Sequence, residues 1–283
     1  MMKTALMHSH MTNHINTFIR TAVAVSMIFL VSASAGAQKK ISIVAHRGFW
    51  KCEAAGDAEN SIASLREAQK IAVWGSEFDV HHTGDRKLLV NHDNTRGGKE
   101  IELTELDFFT TDESCLLKNG EHPSTLDQYL KQGEASDKTI LVFEFKTSKN
   151  CNEDMLVRKS VRSLKNHGLF NPSRVMFISG SRHICEVIAK KYPQFTNQYL
   201  KGDIAPKDLK AVGINGIDYR YLVLRQHPEW VAEAHALGMS VNCWTVNTAE
   251  DIQEMIDLGV DSITTNEPLL VRDILGSREL LNL

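Results

Sequence analysis

Residues 41–48 read Ile41-Ser42-Ile43-Val44-Ala45-His46-Arg47-Gly48: an apolar, β-branched run, then a histidine, an arginine and a glycine. The run predicts a strand, and the polar residues fall at its C-terminal end. The arrangement recurs along the chain. Ser76-Glu77-Phe78-Asp79-Val80 sets Glu77 and Asp79 at i and i+2, on one face of a second strand. Residues 139–145 form a strongly apolar strand in which Glu144 and Lys146 repeat that spacing. Further strands are predicted at 174–178, 196–200, 216–221, 239–246 and 260–264. Asn242, Trp244 and Asn247 mark the end of the seventh strand, and Thr265 and Asn266 the end of the eighth.

Between the strands lie helical patterns at 62–74, 125–131, 155–165, 183–192, 206–212, 228–237, 249–258 and 269–275. Ser124 or Thr125 is placed to cap the second of these, and Gly168, Gly238 and Gly259 supply stop signals. With 88–90 counted as an extension of the second strand, the chain shows eight strands alternating with helices. Continuously apolar strands imply a parallel sheet covered on both faces. Regular βα alternation, with no Gly-rich dinucleotide fingerprint after the first strand, predicts a (β/α)8 TIM barrel. Residues 93–123 lack periodicity and are expected to form a small excursion above the barrel, after the second strand.

Residues 1–37 read as an address. Arg20 precedes an apolar run from 21 to 31, and Ala35-Gly36-Ala37 follows. That order is expected of a secretory signal peptide, and the run is short for a bilayer span. No cysteine stands at the expected cleavage point, so neither a lipid attachment nor a stable membrane anchor is expected. The protein is expected to be exported, periplasmic or secreted, with 38–283 as a single catalytic domain.

Without 1–37, which hold Lys3, Arg20 and no acid, the remainder carries 30 basic and 35 acidic side chains, a net charge of about −5 with histidine neutral. That balance argues against a nucleic-acid partner but leaves room for a small anionic substrate. The five cysteines are scattered, with no zinc spacing, and their pairing cannot be assigned from spacing. Nor does the sequence define the oligomeric state.

In a (β/α)8 barrel the active site forms at the C-terminal ends of the strands, where the polar residues fall. Glu77, Asp79 and Glu144 would repel one another unless neutralised. A divalent cation does this, and an all-oxygen set favours calcium or magnesium over zinc or copper. The alternative is a set of ion pairs, such as Glu144 with Lys146 or Arg47. His46 and His92 are candidates for proton transfer. His81 shares the Glu77/Asp79 face, and His82 points outward. Trp244 suits either barrel core or the wall of an alcohol pocket.

Taken in order, His46-Arg47-Gly48, Glu59-Asn60-Ser61, Glu77-x-Asp79-Val80, His92-Asp93, Glu144-x-Lys146, Trp244-Thr245-Val246-Asn247 and Gly259-Val260-Asp261-x-Ile263-x-Thr265-Asn266-x-Pro268 resemble the glycerophosphodiester phosphodiesterases. The resemblance covers nearly all of 41–276. It implies a (β/α)8 barrel that cleaves glycerophosphodiesters to glycerol phosphate and an alcohol. It implies Glu77, Asp79 and Glu144 as ligands of one divalent cation, Ca2+ or Mg2+, with His46 and His92 as the acid/base pair. Arg47 and Lys146 would hold the phosphate, Glu59 would stand close behind metal and phosphate, and Trp244 would border the glycerol or alcohol pocket. The resemblance also implies first attack by the glycerol 2-hydroxyl, giving a cyclic phosphate that water opens; direct attack by water stays open.

The chain departs from the family pattern at Ala58, where proline is common, at Asn94–Lys99 and in the polar loop 49–58. These put the headgroup preference in doubt more than the core reaction. Two rivals remain. A phospholipase-D-like lyase on lysolipids or sphingolipids would release a cyclic phosphate and need an apolar cleft. A non-catalytic binding barrel would be expected to lack a histidine or an acid from this set.

Overall fold

The computed structural model describes residues 40–278. Its centre is a closed barrel of eight parallel strands: β1 (Ser42–Ala45), β2 (Gly75–His82), β6 (Ile140–Phe145), β7 (Val175–Ser179), β8 (Asn197–Tyr199), β9 (Gly216–Arg220), β10 (Ser240–Trp244) and β11 (Ser262–Thr265). β1 pairs with both β2 and β11, which closes the ring. The expected (β/α)8 barrel is the observed fold.

Alternation along each strand sorts the side chains. Ile43, Ala45, Phe78, Val80, Phe143 and Phe145 face outward and pack under the helices. Val44, Val142, Met176 and Ile178 face inward and fill the lumen, with Trp74, Leu200 and Trp244. Above this apolar plug the inward positions turn polar, so the plug is the floor on which the site stands.

The surrounding helices are amphipathic and locally capped. α1 (Ile62–Lys70) starts at Ser61, whose side chain accepts the Ser64 N–H, and buries Ala63, Leu65 and Ala68. α3 (Leu126–Gly133) starts at Thr125 with a full capping box to Gln128. α4 (Glu153–Asn166), α5 (Arg182–Lys191), α6 (Pro206–Lys210), α7 (Tyr221–Gln226), α8 (Glu229–Ala236), α9 (Ala249–Leu258) and α10 (Pro268–Ser277) complete the ring. No helix among the described residues is long and apolar enough to cross a membrane.

Most boundaries shift by one to three residues, and three differences bear on the architecture. The helix expected over 62–74 ends at Lys70: Ala72 takes φ 53°, after which Val73 packs in the core under the helices and Trp74 turns toward the barrel floor. Residue 221 opens α7 rather than ending a strand. β3 (Leu88–Val90) does not extend β2 but runs antiparallel to it, outside the ring. The turn at Gly84-Asp85-Arg86 reverses the chain, tied by Thr83 N–H to Lys87 O at 2.9 Å.

The excursion has structure of its own. β4 (Thr95–Arg96) and β5 (Lys99–Glu100) form a hairpin. Gly97 and Gly98 hold φ 55° and 73°, as a tight two-residue turn requires. Leu89, Ile101, Phe109 and Cys115, with Leu106 and Phe108 from α2 (Leu106–Thr111), build a small separate core. All five cysteines are unpaired. The segment read as a signal peptide lies outside the described residues.

Candidate active site

At the C-terminal ends of the strands lies a cavity of about 370 Å³. His46, Arg47, Glu77, His92, Glu144, Lys146 and Trp244 all line it. Asp79 stands opposite Glu144 in the β2–β6 register. Oxygens of Glu77, Asp79 and Glu144 lie within 4.8 Å of one another. Glu77 and Asp79 are only 3% and 1% exposed. Glu77 Oε1 and Asp79 Oδ1 are buried with no hydrogen-bond partner. Lys146 Nζ reaches Glu144 at 2.9 Å and Asp79 at 3.4 Å.

The loop after β1 is built to bring Arg47 against these acids. Arg47 takes φ 57°, a left-handed conformation costing about 1–2 kcal/mol for a residue with a side chain. In return its backbone N–H donates to Glu77 Oε2 at 2.8 Å. Gly48 follows at φ 80°, where a Cβ would come within 2.4 Å of Ser64 Oγ, so α1 can pack this close only on a glycine. Asn60, also left-handed, grips Asp79 twice: its Nδ2 donates to Oδ2 at 2.8 Å and its Oδ1 accepts the Asp79 N–H at 3.2 Å. Glu59 does not line the cavity. It accepts from Arg47 Nη1 and holds that guanidinium from behind.

His46 is oriented by a chain of amides. Asn247 Oδ1 accepts the Asn266 N–H at 2.9 Å, and His46 Nδ1 pairs with Asn266 Oδ1 at 2.7 Å. An amide oxygen only accepts, so Nδ1 carries the proton and Nε2 keeps its lone pair. Nε2 faces Glu77 Oε2 at 4.0 Å. His92 Nδ1 pairs with Asp93 Oδ1 at 2.7 Å, and the His92 carbonyl faces His81 Nε2 at 3.3 Å. His81 thus stands behind His92. His82 faces away from the lumen as expected, yet is buried, with Nδ1 against Thr83 O and Nε2 accepting the Asn152 N–H.

Burial and charge set the protonation of the cluster. Burial, then the charges of Asp79 and Glu144, push Glu77 well above the usual carboxylate range. Burial likewise raises Glu144 to about 7, against the pull of Lys146. Burial also works upward on Asp79, but Lys146, His92, Arg47 and the Asn60 hydrogen bond outweigh it and hold that carboxyl low. Burial, with the charge of Arg47, brings His46 down to about 4. His92 is lowered chiefly by burial. Both imidazoles are therefore neutral near pH 7.

Hard oxygens, three converging carboxylates against two cationic side chains, and the orphaned buried Glu77 Oε1 suit a divalent cation bound by Glu77, Asp79 and Glu144. The site as a whole can hold an anion against Arg47 and Lys146 while an imidazole moves a proton beside it. A second group, His82, Glu102 and Cys151, also brings its donor atoms within 4.8 Å. Both ring nitrogens of His82 are already engaged there, which marks that group as structural.

A sequence profile of the glycerophosphoryl diester phosphodiesterase family matches residues 46–270. The chain belongs to that family. A solved glycerophosphodiester phosphodiesterase from Parabacteroides distasonis is 40% identical, with a TM-score of 0.80, over 86% of this chain and 99% of its own. A glycerophosphodiester phosphodiesterase of Caldanaerobacter subterraneus subsp. tengcongensis is 26% identical over 241 residues, 81% of this chain and 95% of that protein. An Oleispira antarctica phosphodiesterase, solved with the product sn-glycerol-3-phosphate, shares the fold at 20% identity and a TM-score of 0.71, over 84% of this chain and 97% of its own. The protein is thus an enzyme of the glycerophosphoryl diester phosphodiesterase family, which disfavours the non-catalytic alternative.

The structure also gives tasks to residues the sequence reading left without one. Asn60, Asn247 and Asn266 were visible as motif members, but only packing shows which atoms they hold. Asp218 was passed over. It is 1% exposed, lines the cavity and stands on β9 with Oδ1 unpartnered. Burial pushes its carboxyl up to about 8. Its i, i+2 spacing from Arg220, the spacing that singled out Glu77 and Asp79, was the available signal.

Proposed function

We propose that the protein is a divalent-cation-dependent hydrolase that cleaves glycerophosphodiesters to glycerol phosphate and an alcohol. The observation that carries this is the convergence of His46, the three carboxylates, Arg47, Lys146 and His92 on one cavity in a chain of this family. Glu77, Asp79 and Glu144 would hold the cation, Ca2+ or Mg2+. When bound there, the cation supplies Lewis-acid neutralisation of charge on the non-bridging phosphate oxygens.

Arg47 and Lys146 bind and orient the phosphate from the two sides of Asp79. Glu59 keeps the Arg47 guanidinium aimed inward. His46, with Nδ1 tied to Asn266, presents Nε2 to take a proton from the attacking hydroxyl. His92, at the cavity mouth and turned by Asp93, acts in its imidazolium form, which the charge of Asp79 and the Asp93 hydrogen bond favour against burial, and gives a proton to the departing alkoxide, a poor leaving group without it. The first attack falls to the glycerol 2-hydroxyl, whose effective concentration is high because it is carried by the substrate. Water then opens the cyclic phosphate. Trp244 borders the organic part of the substrate.

The lyase alternative is not favoured. Exposed large apolar side chains among the described residues are Leu103, Leu116, Leu222 and Leu269, none of them in the cavity wall. We further propose export directed by residues 1–37, with 38–283 as the mature catalytic domain. N-terminal sequencing of the secreted or periplasmic protein checks this, and an intact Met1 would refute it.

The decisive experiment is phosphorus NMR of glycerophosphocholine and glycerophosphoethanolamine with the purified chain, in calcium, in magnesium and in chelator. Cation-dependent appearance of glycerol phosphate is the expected result. A cyclic phosphate as the final product would restore the lyase reading, and no cleavage with either ion would overturn the proposal.

A further inference from the structure

In the closed ring β9 lies four strands from β2 in either direction, so Asp218 faces the cavity from the side opposite Glu77 and Asp79. Its neighbour across the strand register is the uncharged Asn242, while Lys201 and Arg220 line the same cavity from exposed positions and the charge of Glu144 reaches it from the far side. Asn242, beside it in the β9–β10 register, donates through Nδ2 to Thr264 Oγ1 at 2.8 Å and leaves its own Oδ1 buried and unpartnered. Thr264 lines the same cavity. Trp244 Nε1 donates to the backbone oxygen of Asp218 at 2.9 Å, which braces this wall. Buried polar atoms without partners are rare and call for an explanation. A ligand group that completes them supplies one.

We infer that Asp218 is a specificity residue that hydrogen-bonds the terminal hydroxyl of the substrate's glycerol. The inference rests on the glycerophosphodiesterase reading above. The phosphate must sit against Arg47, Lys146 and the carboxylates on the β1–β2–β6 side. The hydroxyl next to the phosphate-bearing carbon stays near phosphorus. The terminal hydroxyl is the farthest group of the glycerol and reaches across to β9. The leaving alcohol varies among glycerophosphodiesters, so it suits the open mouth; the glycerol is constant and suits the enclosed wall. With its carboxyl raised by burial, Asp218 is largely uncharged at neutral pH, which matches a hydroxyl better than a cationic headgroup.

The test compares two substrates: glycerophosphocholine and an analogue whose glycerol is replaced by propane-1,2-diol phosphorylated on its primary oxygen. The analogue keeps the hydroxyl beside the phosphate and lacks only the terminal one. Wild-type enzyme should prefer the glycerol diester by about 100-fold or more in kcat/KM, because the analogue leaves buried polar atoms unpaired. Asp218→Ala should lower kcat/KM on the glycerol diester by about 10- to 100-fold and barely change it on the analogue, collapsing the preference. Asp218→Asn, which keeps a donor and an acceptor in the same place, should retain most of the preference. Equal losses on both substrates, or none on either, would overturn the assignment. A loss that follows choline against ethanolamine rather than the hydroxyl would also overturn it. If Asp218→Ala fails to fold, Asp218→Asn decides: loss of the preference in that variant while it stays folded refutes the hydrogen bond. Wild-type inactivity on the glycerol diester with either cation would instead overturn the underlying reading as well.

Discussion

Around the cavity, the ends of β1, β2 and β6 present His46, Arg47, Glu77, Asp79, Glu144 and Lys146, whereas β7 to β11 present Ile178, Leu200, Asp218, Trp244 and Thr264. One side is a lattice of charges, each held by another. The other is mostly apolar or uncharged within, with the charges of Lys201 and Arg220 confined to exposed positions. A phosphodiester has the same division: a charged centre where bonds change, and organic arms that need only be held. On the proposed function, this division would let one cavity separate the chemistry from the choice of substrate.

Removing the cation should have the largest effect. Chelation should abolish turnover, and either calcium or magnesium should restore it; full activity in chelator would break the assignment of the charged side. The same binding should register in stability, with a defined sign. Glu77 and Glu144 are raised in the folded protein, so their stabilising contribution is present below the unfolded carboxylate value and lost as pH rises through the folded values, about 7 for Glu144. His46 is lowered, so its contribution is present above the unfolded histidine value and lost as pH falls toward about 4. A cation must displace protons from the carboxylates. The rise in Tm on adding it should therefore be larger at pH 7.5 than at pH 5, and an equal shift would contradict the linkage.

Next come the imidazoles. His46→Ala and His92→Ala should each lower kcat by about 10²- to 10⁴-fold with the circular dichroism spectrum unchanged; substantial activity in either variant removes it from the proton-transfer pair. A smaller effect is expected one residue back. Asn266→Ala frees the His46 ring without touching substrate, and should cost about 10-fold or more in kcat. The limb on the acid side of the pH–rate profile should move as well, since Asn266 fixes which nitrogen of His46 carries the proton. An unmoved profile would leave Asn266 a merely structural role.

On the β7 to β11 side, Trp244→Ala should raise KM by about 3- to 10-fold and leave kcat nearly intact. A fall in kcat matching that of the histidine variants would mean that the two sides are not separable.

Much of this was legible from residues 41–48 onward, because a parallel barrel leaves a plain record: apolar strands of regular spacing with polar residues at one end of each. Alternation alone placed Glu77 with Asp79 and Glu144 with Lys146 on shared faces. It could not distinguish β3 as an outer antiparallel strand, because three apolar residues carry no direction and the reversal at Gly84-Asp85-Arg86 is set by its hydrogen bonds. Nor could it find the core of the excursion, whose apolar residues lie too far apart in sequence to show a period.

The site divides in the same way. The sequence by itself determined the barrel, its polar end and the chemical types gathered there, since these follow from local periodicity and residue identity. Only the tertiary structure decided that Glu59 holds Arg47 from behind, that Asn247 and Asn266 orient His46, that Arg47 turns its own N–H onto Glu77, and that Asp218 faces the carboxylates across the ring. Each of these is a contact between atoms whose distance is fixed by closure of the barrel, a condition that no single segment of the chain contains.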